Sequence, residues 1–207
     1  MWQEISKFGK KLVNYGLAGA HFGNISVRTG NKILITRSGS MLDELNQDAI
    51  VEVTLGRMSS LAADASVEMP VHRAIYEKTS ALAVIHAHSP FAIVQSMLSK
   101  GNLLIPEDCE SKYFLQGVPI VTGEPGSDRL AENAAKALKK HKGVIVKGHG
   151  TFAIGKNLEE AYAVVSSIEQ VCKIKYYTDL YGYFRKNCRS EKTNFKRTKR
   201  QVINHKN

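Results

Sequence analysis

Three histidines follow short apolar runs and could together bind a metal ion. His86 and His88 close a short apolar run over 81–85, and His149 follows a second apolar run over 143–147. Runs this short, rich in Val and Ile, indicate buried strands; side chains alternate along a strand, so His86 and His88 face the same way. Three neutral imidazoles around Zn²⁺ with an open position form a catalytic zinc site. A single strand-end histidine is more often an ordinary polar residue, so the prediction rests on all three.

Glu68 is the residue best placed by the sequence to move a proton. It stands near the start of a helix predicted over 66–78, with Ser66 as the expected N-cap. A carboxylate there could equally be a cap or a partner of the helix dipole. His72 lies four residues later on the same helix face and is expected to support the site or pack beside it, rather than to bind metal.

Three turns rich in Gly, Ser and Asn offer backbone N–H groups and hydroxyls to an anion. None of them matches a nucleotide-binding motif. They therefore favour a site for a phosphate group without a nucleotide, and they lie at Gly23–Ser26, Ser38–Ser40 and Ala65-Ser66.

The elements that must hold these residues alternate irregularly between helix and strand, with a hairpin signal around Gly30-Asn31. No repeat or interdomain linker is evident. The pattern predicts an α/β protein, a single three-layer α/β/α domain with a mixed, largely antiparallel central sheet. Helices are predicted over 2–17, 66–78, 90–98, 107–115, 127–140 and 158–181, strands over 25–28, 32–36, 50–53, 81–88, 119–121, 143–147 and 151–154, and a turn at 55–57.

The composition is that of an ordinary globular protein. The 207 residues suffice for one domain with a substantial core, and no apolar run reaches the length of a membrane span. No secretory signal is recognisable near Met1. Three widely spaced cysteines without a CxxC pair favour free thiols and a cytoplasmic protein.

The positive charge is concentrated near the C-terminus. Residues 185–207 hold nine of the 29 Lys and Arg and one of the 19 Asp and Glu, which accounts for +8 of the net charge of +10. A solvated tail explains this distribution better than a nucleic-acid-binding surface does. We therefore expect a zinc domain over 1–184 and a basic tail over 185–207 that is flexible or acts as a lid, and whose removal leaves zinc binding intact.

Five short motifs follow one another along the chain: Gly23–Arg28, Thr36–Gly39, Ser66–His72, His86–His88 and Lys147–Gly150. In this order they resemble the class II aldolase and adducin family, in particular its L-fuculose-1-phosphate aldolases, over roughly residues 5–180. The resemblance implies a zinc-dependent aldolase that reversibly cleaves a ketose 1-phosphate to dihydroxyacetone phosphate and a small aldehyde such as lactaldehyde. It also implies one Zn²⁺ per subunit and a homotetramer with active sites at subunit interfaces.

The resemblance assigns roles residue by residue. Glu68 takes the place of the catalytic acid/base. The zinc ligands implied are His86, His88 and His149, and the residues implied around the substrate phosphate are Asn24, Ser38, Gly39 and Ser66.

The chain also departs from the family pattern. Val67 stands where the family usually has a second Ser, and His21 where its aldolases have Thr. The tyrosine that acts at the aldehyde end in family aldolases has no clear match, and Tyr113 and Glu110 are its candidate substitutes. These departures concern the anion site and the aldehyde end rather than the metal.

Sister activities of the family are the first alternatives: a pentulose-phosphate 4-epimerase, a methylthioribulose-1-phosphate dehydratase or a keto-acid-phosphate decarboxylase. Family epimerases tend to carry Asp where Glu68 stands, which favours the aldolase. A non-catalytic adducin-like binding module is an alternative of another class. The presence of Glu68 together with all three histidines argues against it.

Overall fold

The computed structural model describes residues 1–55 and 64–204, with side chains described as far as Asn187. Its helices are α1 (Trp2–Asn14), α2 (Met69–Lys78), α3 (Pro90–Leu98), α4 (Cys109–Leu115), α5 (Asp128–Leu138) and α6 (Leu158–Asn204). Its strands are β1 (Asn24–Thr29), β2 (Lys32–Thr36), β3 (Ile50–Thr54), β4 (Ala83–Ala87), β5 (Leu103–Leu104), β6 (Val118–Val121), β7 (Gly143–Val146) and β8 (Gly150–Gly155).

The described strands form one sheet in the order β3-β2-β1-β4-β8-β7-β6-β5. Every neighbouring pair is antiparallel except β6 with β7. This confirms the predicted mixed, largely antiparallel sheet. The strands that adjoin the histidines, β4 and β8, lie side by side in its middle.

Helices cover both faces of the sheet. One apolar core lies under α1, α3 and α6 and contains Ile25, Ile85 and Val165, all fully buried. The other lies under α2 and α5 and contains Val84, Ile75 and Leu130, also fully buried. Val84 and Ile85 are consecutive residues of β4, so the alternation of a strand supplies both cores. The three-layer α/β/α arrangement is therefore confirmed.

Four predicted helices, α1, α2, α4 and α5, are shorter than expected, and α1 and α2 show the local reasons. α1 ends at Asn14 rather than at residue 17, because Gly16 adopts a left-handed φ of 66° and its N–H bonds back to Val13. α2 begins at Met69, with Glu68 and not Ser66 at the N-cap position. Pro70 fits the first turn of α2, where its missing N–H has no helical partner to lose.

The last helix is longer than predicted. α6 continues to Asn204 instead of ending at residue 181, so most of the basic segment from 185 onward is helical. Ten of the residues in 185–201 are Lys, Arg, Glu or Gln, which are good helix formers, and no Pro interrupts the second half of α6. Gly56 and Arg57, part of the turn predicted at 55–57, lie outside the described residues. Among the described helices, none has the length and apolar character needed to cross a bilayer.

Candidate metal centre and active site

The three predicted metal-binding histidines meet at one edge of the central strands. The antiparallel register of β4 and β8 pairs His86 with Phe152, so His88 lies near the start of β8. His149 occupies the tight turn that joins β7 to β8, where its N–H donates to Val146. One ring nitrogen from each histidine lies within 4.8 Å of the others.

The ring of His86 is fixed by two contacts. Its Nδ1 donates to the carbonyl oxygen of Thr151 across 3.0 Å, and its ring stacks on Phe152 with 4.2 Å between centroids. Since Nδ1 holds the proton, Nε2 of His86 presents a lone pair. That Nε2 lies 3.1 Å from Nε2 of His88. Phe22 packs beside His88 at 5.4 Å between ring centroids.

The turn that carries His149 is also held in place. Gly148 takes a left-handed φ of 70°, which a residue with a side chain adopts only under strain. Its N–H donates to Ser96 Oγ across 2.9 Å, and Ser96 is fully buried in α3. The helix that follows His88 therefore also holds the turn before His149.

The triad fits a divalent metal ion. Burial lowers the pKa of His86 well below its usual range, lowers that of His88 to about 4 and lowers that of His149. The rings are therefore neutral near pH 7, as metal ligands must be. Two nitrogens held tetrahedrally at about 2.0–2.1 Å from one ion lie about 3.3–3.4 Å apart, close to the His86–His88 separation. The buried Nδ1 of His149 has no hydrogen-bond partner among the described residues.

Glu68 faces the triad instead of capping its helix. Its side chain makes no cap hydrogen bond and is 5% exposed. Oε2 accepts the N–H of Gly126 across 3.2 Å, while Oε1 lies 3.8 Å from His149 Nε2 and has no hydrogen-bond partner in the described residues. Burial raises the pKa of Glu68, and the Gly126 bond partly opposes this. A buried carboxylate oxygen facing the triad is what a bound cation or a proton transfer would require.

A cavity of about 160 Å³ opens over the triad and Glu68. This is smaller than the roughly 300–1,000 Å³ pockets of drug-sized ligands, so it suits a small substrate. The residues predicted around an anion all line it: Asn24, Ser38, Gly39 and Ser66. The two positions that depart from the family pattern, His21 and Val67, line it as well, together with Arg37.

Tyr113 and Glu110 are not part of this cavity within one chain. Both belong to α4; Tyr113 is 88% exposed, and Glu110 is exposed too. Their assignment to the aldehyde end remains a prediction that requires a neighbouring chain.

His72 is not part of the triad. It is fully buried, and its two ring nitrogens contact Ser26 Oγ and Asn24 Oδ1, each at 2.6 Å. Burial lowers the pKa of His72 to about 3. The prediction that it supports the site rather than binding metal agrees with this placement.

Several residues that hold the site were not singled out from the sequence. Gly126 holds the carboxylate of Glu68 from a loop 58 residues away. Glu169 of α6 accepts the N–H groups of Phe91 and Ala92, the unpaired donors at the start of α3. The sequence held no signal for Glu169: Ser89 is a preferred N-cap type, but in the structure its side chain makes no cap bond and leaves those donors to another acceptor.

The family model described as "Class II Aldolase and Adducin N-terminal domain" matches residues 3–176. The chain therefore belongs to the class II aldolase and adducin family, whose aldolases depend on a metal ion. Together with the histidine triad, this makes it a metal-dependent lyase.

Individual relatives carry two activities. The chain is 34% identical over 175 residues to the L-fuculose phosphate aldolase of Methanocaldococcus jannaschii, covering 83% of this chain and 93% of that one. It is 29% identical over 180 residues to the methylthioribulose-1-phosphate dehydratase of Gluconacetobacter diazotrophicus, covering 81% and 88%. The crystal structure of L-fuculose-1-phosphate aldolase from Thermus thermophilus superposes with a TM-score of 0.81 at 33% identity, covering 87% of this chain and 95% of that one.

Proposed function

We propose that this enzyme reversibly cleaves a ketose 1-phosphate, similar to L-fuculose 1-phosphate, into dihydroxyacetone phosphate and a small aldehyde such as lactaldehyde. The observation that carries the proposal is the position of Glu68. One of its carboxylate oxygens is buried, has no hydrogen-bond partner among the described residues and lies 3.8 Å from a histidine of the metal triad. Aldol cleavage needs a group that moves a proton on carbon beside a metal-bound carbonyl.

In this proposal His86, His88 and His149 hold one Zn²⁺ per subunit. Their all-nitrogen donor set, without a cysteine, suits a catalytic zinc with an open position. When bound, the ion supplies Lewis-acid polarisation of a ketone oxygen. The protein fixes the ring of His86 through the Thr151 carbonyl, and it fixes the backbone turn that carries His149 through the Ser96 hydroxyl.

Glu68 acts as the acid/base. In the cleavage direction the substrate hydroxyl that becomes the aldehyde oxygen gives its proton to a group at the aldehyde end, the C–C bond breaks, and Glu68 gives a proton to the carbon from which the aldehyde departs. In the condensation direction Glu68 removes that proton. Burial raises its pKa, which brings the carboxyl group nearer to the pH at which it can both accept and release a proton. The N–H of Gly126 fixes one oxygen and leaves the other for the substrate.

The phosphate end is assigned to the polar residues that line the same cavity as the triad. Asn24, Ser38, Gly39 and Ser66 offer hydroxyl, amide and backbone N–H donors there. Arg37 also lines this cavity, and its guanidinium forms a salt bridge with Asp64 at 2.7 Å. The exposed side chain of Val67 provides no donor, so we expect the anion to rely on the remaining groups.

We further propose that the enzyme works as a homotetramer. Four aromatic side chains on the outer part of α6 are each more than half exposed, although Tyr177 also packs beside Phe91: Tyr177, Tyr181, Tyr183 and Phe184. A second copy of the chain would cover this surface. It would also supply the aldehyde-side residues that the cavity lacks. Analytical ultracentrifugation at micromolar concentration tests this, and a monomer with full activity contradicts it.

The reaction is tested with a coupled assay that reduces dihydroxyacetone phosphate as it forms. Fuculose 1-phosphate, ribulose 1-phosphate and 5-deoxyribulose 1-phosphate are the substrates, with parallel samples containing a chelator. Chelator-sensitive release from any of them supports the aldolase. The dehydratase relative makes methylthioribulose 1-phosphate the second substrate to examine. If the enzyme removes water from methylthioribulose 1-phosphate and cleaves none of the three ketose 1-phosphates, its activity is that of a dehydratase.

A further inference from the structure

Four polar side chains form an unbroken line inside the otherwise apolar layer between α2 and the sheet. Tyr76 and His72 lie one helical turn apart on α2, and Ser26 and Asn24 lie two residues apart on β1. The contacts run from Tyr76 OH to Ser26 Oγ (2.7 Å), from Ser26 Oγ to His72 Nδ1 (2.6 Å) and from His72 Nε2 to Asn24 Oδ1 (2.6 Å). Four helical residues advance about 6 Å and two strand residues about 6.6–6.8 Å, so the two pairs are matched in spacing.

The direction of each bond follows from the last acceptor. Asn24 Oδ1 can only accept, so the proton of His72 is on Nε2. Nδ1 of His72 is then an acceptor and receives the hydroxyl proton of Ser26, which leaves Ser26 Oγ to accept from Tyr76. His72 is thus held as one neutral tautomer. It is fully buried, and Tyr76 is 1% exposed.

The consequence falls on Asn24. Its register partner in the sheet is the metal-triad residue His86, and its side chain lines the substrate cavity. Oδ1 of Asn24 accepts from His72 Nε2. If the amide rotated by 180°, its N–H group would face the N–H group of His72, and neither could accept. Asn24 makes its side-chain hydrogen bond through Oδ1 and lines the cavity, so we infer that Nδ2 faces the cavity.

We propose that His72 is a positioning residue for the substrate anion: it locks the Asn24 amide so that its N–H groups point at the phosphate. This rests on the proposed function, in which Asn24 binds that phosphate. An apolar residue at position 72 would fill the same volume, but it would leave Asn24 free to present its oxygen to an anion and Ser26 without its acceptor. Orientation, and not packing alone, is what the histidine adds.

A double-mutant cycle on the zinc-loaded protein tests the proposal, with the dissociation constant of dihydroxyacetone phosphate measured by titration calorimetry. Asn24→Ala and His72→Leu are each expected to weaken binding about tenfold, the effect of losing one hydrogen bond of ordinary strength. In the Asn24→Ala background, His72→Leu is expected to change binding less than about twofold, because its effect passes through Asn24. His72→Gln places an acceptor and a donor at a similar spacing and restores most of the affinity. Zinc content stays at one per chain throughout.

Two controls separate the possible failures. His141→Gln changes a histidine outside the cavity, whose ring donates to Gly117, and is expected to leave the dissociation constant unchanged. Imidazole ¹⁵N spectra of the wild-type protein report His72 directly and should show protonated Nε2 and unprotonated Nδ1.

Additive effects of Asn24→Ala and His72→Leu overturn the positioning role, as does the opposite tautomer of His72. In both cases the wild-type protein still binds dihydroxyacetone phosphate, so the proposed function stands. If Asn24→Ala binds as tightly as wild type, or wild type does not bind at all, the phosphate-site assignment fails and the inference fails with it.

Discussion

His86 and Thr151 are joined by a hydrogen bond of 3.0 Å from an imidazole Nδ1 to a backbone carbonyl. Thr151 lies two residues after His149, so the strand that follows one candidate metal ligand fixes the tautomer of another. The bond also connects β4 to β8 beyond the regular ladder between them. The geometry of the metal centre is therefore set by the middle of the sheet.

Removing a ligand should remove the metal. We expect His88→Ala to lose stoichiometric zinc because two nitrogens remain where catalytic sites use three. Elemental analysis of protein purified from zinc-containing medium measures this. His21→Ala, which alters the same cavity without touching the triad, is the control and should keep its zinc. Full zinc content in His88→Ala would mean that the ion is held elsewhere.

Metal removal should also destabilise the protein. An ion that binds only the folded state adds about 2.7 kcal/mol of stability at a free concentration one hundred times its dissociation constant. A chelator should therefore lower the melting temperature of the wild-type protein but not that of His88→Ala. Equal shifts in both proteins would show that the chelator acts by another route.

Glu68→Gln should lower turnover at least about a hundredfold, the usual contribution of a positioned acid/base. The amide keeps the shape and can still accept the Gly126 N–H, so zinc content and fold should persist. Steady-state rates with the best ketose 1-phosphate, normalised to bound zinc, provide the measurement. Wild-type turnover in this variant would reduce Glu68 to a structural carboxylate.

Glu169 should stabilise the protein by capping the helix that follows the His88 segment. Both of its oxygens accept N–H groups at the start of α3, at 3.0 and 2.9 Å. We expect Glu169→Ala to lower the free energy of unfolding by about 1–2 kcal/mol, as the loss of a helix cap does. Urea unfolding tests this, with Glu132→Ala on the exposed face of α5 as the control. Equal losses in the two variants would contradict the capping role.

His72 should make the protein sensitive to acid. Its pKa is about 3 in the folded state and about 6.5 in the unfolded chain, so the unfolded state binds the extra proton between these values. Its contribution to stability is complete above about pH 6.5 and is lost as the pH falls toward about 3. Relative to His72→Gln, the metal-free wild-type protein should lose roughly 3 kcal/mol more between about pH 7 and pH 4. The other buried histidines titrate in both proteins and cancel; parallel pH profiles would rule out this contribution.

Removal of residues 185–207 should leave the zinc in place. The triad lies in the central sheet, and its supporting contacts come from β8, α3 and the nearer part of α6. Zinc content and turnover of the protein ending at Phe184 are the measurements. Loss of zinc contradicts the prediction, whereas retained zinc with lost turnover indicates that the segment closes the site.

The sequence predicted what depends on local periodicity. The alternation of side chains along β4 predicted that His86 and His88 share one face. Because a second buried strand also ends in a histidine, His149 was predicted to lie near them, and the structure brings the three together. It did not predict contacts made by loops and helices remote in the chain, such as Gly126 with Glu68 or Ser96 with Gly148. These contacts depend on how elements pack, which no residue spacing encodes. The same limit explains α6, because a charged stretch is compatible with both a helix and a disordered tail.

The two halves of the site are anchored differently, and this bears on how substrate preference can diverge. The histidines lie on or beside central strands whose neighbours fix their backbone and, for His86, the ring as well. Other residues that line the cavity, including His21, Ser38 and Val67, lie in connecting segments outside the strands. Substitutions in those segments can alter the fit of a sugar phosphate while the chelating centre stays intact. Aldol cleavage and dehydration can thus evolve on one scaffold through substitutions in these connecting segments.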